Sequence, residues 1–118
     1  MSVKKETHAE DVSIISSGVI IDGNLQSEGN VRIDGIINGN VAVSGNLTIG
    51  DSSRIKGEIK ARNISMSGKV EGKVVVAEKL RLESKSVLQG DLMAKILIIE
   101  EGALFDGTSS MNQNNSNS

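Results

Sequence analysis

The side chains that most often carry chemistry are scarce and scattered in this 118-residue chain. An imidazole base or metal ligand must sit in the ordered fold beside its substrate. The single histidine, His8, precedes the first patterned segment and reads as a free surface residue. There are no cysteines, which excludes a thiolate nucleophile, a thiolate metal site and a disulfide framework. Asp22, Asp34 and Glu71 fall on separate short runs. They are expected to point outward as solvated charge rather than converge as an acid and a base. The glycines form no Gly-x-x-x-x-Gly-Lys-Ser/Thr phosphate loop and no Gly-Gly-x-Gly-x-Asp calcium repeat. No catalytic residue, cofactor site or metal site is expected, and no enzymatic activity.

Composition narrows the class further. Hydrophobic residues make up 37% of the chain but aromatics only 1%. The core must therefore be built from Ile, Val and Leu, which suit strands, without the usual large aromatic fillers. Thirteen glycines and no proline suggest many turns that rely on freedom at φ. The net charge of −2, with both signs interspersed, lacks the basic footprint of a nucleic-acid binder. No apolar run approaches the roughly 20 residues that span a bilayer. The N-terminal "MSVKKETHAE" has no apolar stretch of the kind a secretory signal needs.

The elements that organise these residues are repeats. An apolar-x-Gly word occurs as Ile21-x-Gly23, Ile37-x-Gly39, Ile55-x-Gly57, Val70-x-Gly72, Leu88-x-Gly90 and Phe105-x-Gly107. The glycines are 16, 18, 15, 18 and 17 residues apart. Two residues after each glycine but the last stands another apolar residue: Leu25, Val41, Ile59, Val74, Leu92. An apolar-x-apolar pair then follows: Val31/Ile33, Leu47/Ile49, Ile64/Met66, Leu80/Leu82, Leu97/Ile99. Corners of three residues ("DGI", "SGK") or five ("SSGVI", "GDSSR", "ESKSV", "EEGAL") lead to the next word. Alternation within each run has period two, the signature of strands.

A constant period with short strands predicts a solenoid. Each unit is one coil with three short faces, and successive coils stack as parallel strands about 4.8 Å apart. The fold class is all-β: a single-domain parallel β-helix of about six coils over residues 12–107. It is flanked by unstructured polar tails at 1–11 and 108–118. Inward residues should form columns, such as Val31, Leu47, Ile64, Leu80 and Leu97. Outward charges should pair between coils, Lys56 with Glu71 and Glu58 with Lys73.

A solenoid has two open ends, and monomeric ones cap them with a polar repeat or a helix. Neither tail looks able to cover an apolar layer. The ends are therefore expected to be covered by further copies of the chain, through Ile15 and Ile21 at one end and Leu97, Ile99 and Phe105 at the other. Phe105 is the sole aromatic. A second outward surface, Val75, Met93 and Ile98, is a candidate lateral patch for bundling or for a partner. The alternative is a β-helical binding platform that does not polymerise.

The segment "ISSGVIIDGNLQSEGNVRIDGIINGNV" (15–41) resembles the opening of the bactofilins, bacterial polymer-forming cytoskeletal proteins. Arg32 to Gly35, with Gly39 and Asn40, is its most specific part. The similarity continues as a glycine–apolar rhythm to about Gly107. The resemblance implies a right-handed β-helix that polymerises without nucleotide into non-polar filaments, head to head and tail to tail. It implies a cytoplasmic scaffold at the inner face of the cell membrane, with cell-shape and cell-wall proteins as partners. Some members reach the membrane through an N-terminal apolar-plus-lysine peptide, to which Met1, Val3, Lys4 and Lys5 would correspond.

Overall fold

The computed structural model describes the backbone of residues 3–5 and 12–111, and the side chains of 13–109. Met1 and His8 lie outside the described residues. The described chain is strands and corners, without a helix. The strands are β1 (Val3–Lys5), β2 (Val12–Ile15), β3 (Ile20–Asp22), β4 (Leu25–Ser27), β5 (Asn30–Ile33), β6 (Ile36–Asn38) and β7 (Val41–Val43). They continue as β8 (Asn46–Ile49), β9 (Arg54–Met66), β10 (Lys69–Leu82), β11 (Val87–Ala94), β12 (Ile96–Ile99) and β13 (Leu104–Met111).

Their pairings are parallel, and each strand lies on the one a coil earlier. One face stacks β2, β5, β8, the second half of β9, the second half of β10, and β12. A second face stacks β3, β6 and the starts of β9, β10, β11 and β13. The third carries β4, β7 and the next stretch of those long strands. This is the expected parallel β-helix of six coils.

The inward columns follow from the alternation. Val31, Leu47, Ile64, Leu80 and Leu97 are register partners in turn. So are Ile21, Ile37, Ile55, Val70, Leu88 and Phe105 on the second face. From the second coil to the fifth these inward side chains are almost fully buried. Each contributes about 1.5–3 kcal/mol of apolar transfer, offset by ordering costs of similar size.

The glycines after the second face form their own column, which turns the chain onto the third face. Gly57, Gly72, Gly90 and Gly107 are direct register partners, and Gly72 has φ of 135°. A Cβ on Gly72 would overlap the carbonyl oxygen of Gly57 one coil below. Both the left-handed backbone and the close approach therefore require glycine here.

The two corner lengths have a shared explanation. In the long corners a backbone N–H closes a turn onto a carbonyl three residues back: Val19 to Ser16, Ser53 to Gly50, Ser86 to Glu83 and Ala103 to Glu100. Ser53 and Ser86 are buried, and their hydroxyls donate to the same carbonyls at 2.6 and 2.7 Å. The short corners nest against such turns. A Cβ on Gly35 would overlap the carbonyl of Val19, and one on Gly68 the carbonyl of Gly50.

Three features differ from expectation. Val3–Lys5, expected within an unstructured tail, is a strand paired with Leu25–Ser27. The third face continues through Met111 rather than ending at Gly107. The ladder also runs unbroken around the glycine corner, so β9 and β10 reach 13 and 14 residues instead of three to five. Unequal repeat lengths are absorbed at the next corner, where the register shifts between Val76 and Lys79 as a β-bulge.

Gly72→Ala should lower stability by at least ~1–3 kcal/mol, the usual strain of a side chain at such φ, with the backbone overlap added. Gly18→Ala, where nothing lies within 4 Å of the added carbon, should cost less. Thermal unfolding followed by circular dichroism, with the two variants side by side, checks the order.

Candidate functional site

The residues that could carry chemistry are occupied by structure. Asp22 Oδ1 accepts from Asn38 Nδ2 at 2.9 Å, from the next coil. Asp34 accepts a forked pair from Arg32, Nε at 2.9 Å and Nη2 at 3.2 Å. That hydrogen bond, and then the carboxylate's charge, raise the Arg32 pKa above its ordinary value. Glu71 pairs with Lys69 at 3.3 Å. The three carboxylates do not converge, and the described residues hold no group of three or more His, Cys, Asp or Glu that could bind a metal.

The expected inter-coil charge pairs are register neighbours, Lys56 with Glu71 and Glu58 with Lys73. Two of these residues pair within their own strand instead, Glu71 with Lys69 and Glu58 with Lys60, while other outward charges do pair between coils, Arg62 with Glu78 and Arg81 with Glu100. Residues two apart share a face of the strand, so a long lysine reaches its own strand's carboxylate as readily as the next coil's.

Asparagines do structural work at the corners. Asn40 N–H donates to Asn24 Oδ1 at 3.1 Å and Glu58 N–H to Asn40 Oδ1 at 3.1 Å. Asn46 N–H donates to Asn30 Oδ1 at 2.9 Å and Lys79 N–H to Asn63 Oδ1 at 3.2 Å. These amides satisfy backbone donors where the chain turns. The concavities are open grooves on the outer faces; one of about 680 Å³ is lined by Gln26, Ser44, Lys60, Arg62, Val75 and Glu78, among others.

The unsatisfied surface is at the ends, and the two ends differ. At the C-terminal end Ile99 is 49% exposed, and Leu97, Ala103 and Phe105 are only partly buried against the core. These are inward residues, and among the described residues no coil lies beyond them. At the N-terminal end Ile15 is partly buried, but Ile21 and Leu25 are 6% and 4% exposed. That layer also holds two serines at inward positions, Ser13 and Ser27.

Outward columns carry a second signal, which sequence reading missed. One runs Ile14, Arg32, Thr48, Ser65, Arg81, Ile98. Another runs Ile20, Ile36, Arg54, Lys69, Val87, Leu104. Both are apolar at the ends of the rod and polar in the middle. The exposed large hydrophobics Ile14, Val19, Ile20, Met93, Ile96, Ile99 and Leu104 all lie in the first or the last two coils. Outward positions had to be aligned by register before this pattern could be seen. Of the candidate lateral patch, Val75 and Met93 are direct neighbours, while Ile98 lies on the next face beside Arg81.

A family model described as polymer-forming cytoskeletal bactofilin matches residues 13–110. The chain belongs to the bactofilin family. The solved structure of the cytoskeletal bactofilin BacA, from solid-state NMR, is similar over 87% of this chain and 98% of that one, at 33% identity and a TM-score of 0.79. No curated protein matches the chain. The bactofilin match covers all six coils and ends one residue before the last described one. It establishes a polymer-forming cytoskeletal protein, and the geometry above says where such a protein has unsatisfied surface.

Glu71→Gln should change stability by less than about 1 kcal/mol, as for an exposed ion pair, and leave the fold intact. Urea denaturation measures the first. Elemental analysis of the purified protein should find no stoichiometric metal.

Proposed function

We propose that this bactofilin polymerises end to end without nucleotide, and that its filament is a scaffold for cell-shape and cell-wall machinery. The observation that carries this reading is the open apolar layer of Leu97, Ile99 and Phe105 at one end of the rod. A filament made of two alternating self-complementary contacts, head to head and tail to tail, is non-polar.

The outward apolar residues support the same reading through size. An end one coil across is small against the roughly 800 Å² per partner of a standard interface. Core residues alone make a thin contact. Ile14 and Ile20 at one end, and Ile96 and Leu104 at the other, extend it outward as apolar rungs. Val75 and Met93, with Ile98 on the adjoining face, supply the surface for lateral bundling.

The filament is assigned to the cytoplasm, at the inner face of the membrane. Met1, Val3, Lys4 and Lys5 are the contact residues in this reading. Two lysines are worth about 1 kcal/mol each at an anionic surface, negligible for one subunit but additive along a polymer. No described helix is long and apolar enough to cross a membrane.

Electron microscopy of the purified protein, with chelator and without nucleotide, should show filaments. Phe105→Arg, which places a charge in the open layer, should yield a folded rod that sediments as monomer or dimer. Wild-type protein that stays small at every concentration would favour the binding platform. A Phe105→Arg protein that still sediments as polymer would remove Phe105 from the interface.

A further inference from the structure

We propose that β1 is a removable rung that closes part of the N-terminal end, so that assembly is stepwise: copies first join through their C-terminal ends, and filaments grow once β1 is displaced. This rests on the end-to-end reading above and assigns an order to its two contacts.

Three observations carry it. Val3–Lys5 pairs in parallel with β4, Val3 opposite Leu25 and Lys5 opposite Ser27. The third face therefore has one rung more at its start than the other two. Beneath that rung Leu25 and Ser27 are 4% and 2% exposed, although they belong to the first coil. At the opposite end no described strand covers the last rung of the first face, and Ile99 is 49% exposed.

The ends also differ in what they offer a second copy. The C-terminal layer presents Leu97, Ile99 and Phe105 on its first two faces, with Ser109 opposite Leu92 on the third. In the N-terminal layer Ser13 and Ser27 stand where the coils above have Val31 and Val43. The Ser13 hydroxyl is buried without a hydrogen-bond partner. A second copy that covers the whole of this end meets the strand edge of β4 as well as those of β2 and β3, and free backbone groups are what makes a sheet edge adhesive. β1 occupies the β4 edge. Its link to the first coil, residues 6–11, is part of the same chain, so its pairing is intramolecular and competes at a fixed effective concentration.

The linkage is one of population. A binding-competent end present a fraction f of the time weakens the apparent contact by that fraction, and in a head-to-head contact both ends must be open, so the factor is f squared. A rung closed nine-tenths of the time therefore raises the assembly threshold about a hundredfold. The device sets when filaments start without altering the contact itself.

The test compares three proteins in solution without membranes, by sedimentation velocity and light scattering over a concentration series. The wild type should pass through a dimer before polymer appears. For a rung closed nine-tenths of the time, deletion of residues 2–5 should lower the polymer threshold about a hundredfold. Lys4→Cys/Gln26→Cys, at register partners, places two cysteines in a chain that has none. Parallel neighbours lie about 4.8 Å apart, within the ~4.4–6.8 Å that a disulfide spans. Oxidised, this protein should stop at the dimer; reduced, it should polymerise as the wild type does. Adding Phe105→Arg to the oxidised protein should leave monomer. Equal thresholds for wild type and deletion, or polymer from the oxidised lock, would overturn the removable rung and leave the filament reading standing. Failure of every variant, the deletion included, to pass beyond a monomer would overturn the end-to-end reading itself.

Discussion

The fold depends on one steric constraint: each coil must lie directly on the backbone of the coil before it. The glycine column expresses this most strictly, because at Gly57, Gly72 and Gly90 the backbone of the glycine one coil earlier fills the space a side chain would take. Close stacking there keeps the three faces in register, and register is what brings Val31, Leu47 and Ile64 into one column. The hydrophobic core follows from that alignment. A coil by itself encloses little; stacked, it buries its inward residues against two neighbours. Corner lengths obey the same rule, since the short corners at Gly35 and Gly68 lie directly on turns that close in the coil before.

Much of this was legible because the constraint acts on residue type at fixed spacing. The Ile-x-Gly and Val-x-Gly words gave the coil period, and alternation separated inward from outward positions. Columns read from spacing alone, from Val31 to Leu97 and from Ile33 to Ile99, are the register partners of the structure. The corners were legible only as lengths. Their hydrogen bonds, such as Ser53 onto Gly50, depend on how one coil folds over another, which a single repeat does not encode.

The misses have physical causes as well. Val3–Lys5 is three residues long and lacks the glycine word, so no periodic signal marked it as a rung; its partner β4 supplies the template. The strand through Met111 was hidden by its polar residues, "TSS", which ride on the ladder laid down by β11. The partners of Glu58 and Glu71 were misjudged because backbone register fixes which Cα atoms are opposed, while lysine's four-carbon stem chooses among carboxylates within reach; the inter-coil pairing itself occurs at Arg62–Glu78 and Arg81–Glu100. The apolar ends of the outward columns needed the register itself.

Stacking has a consequence for function that does not depend on any catalytic group. In a coil at the middle of the rod, both backbone edges and both sides of the core layer are satisfied. The same coil at an end is half satisfied, whatever its sequence. An isolated β-helix must therefore spend sequence on closing its ends, or use them. Here the middle coils place Arg32, Thr48, Ser65 and Arg81 outward, and the terminal coils place Ile14 and Ile98 in the same column. That change of chemistry along a column is not demanded by the fold, since outward positions tolerate polar residues in every coil between. It is the pattern that the proposed end-to-end stacking would draw on, with the outward apolar residues of another copy set beside those of the terminal coil.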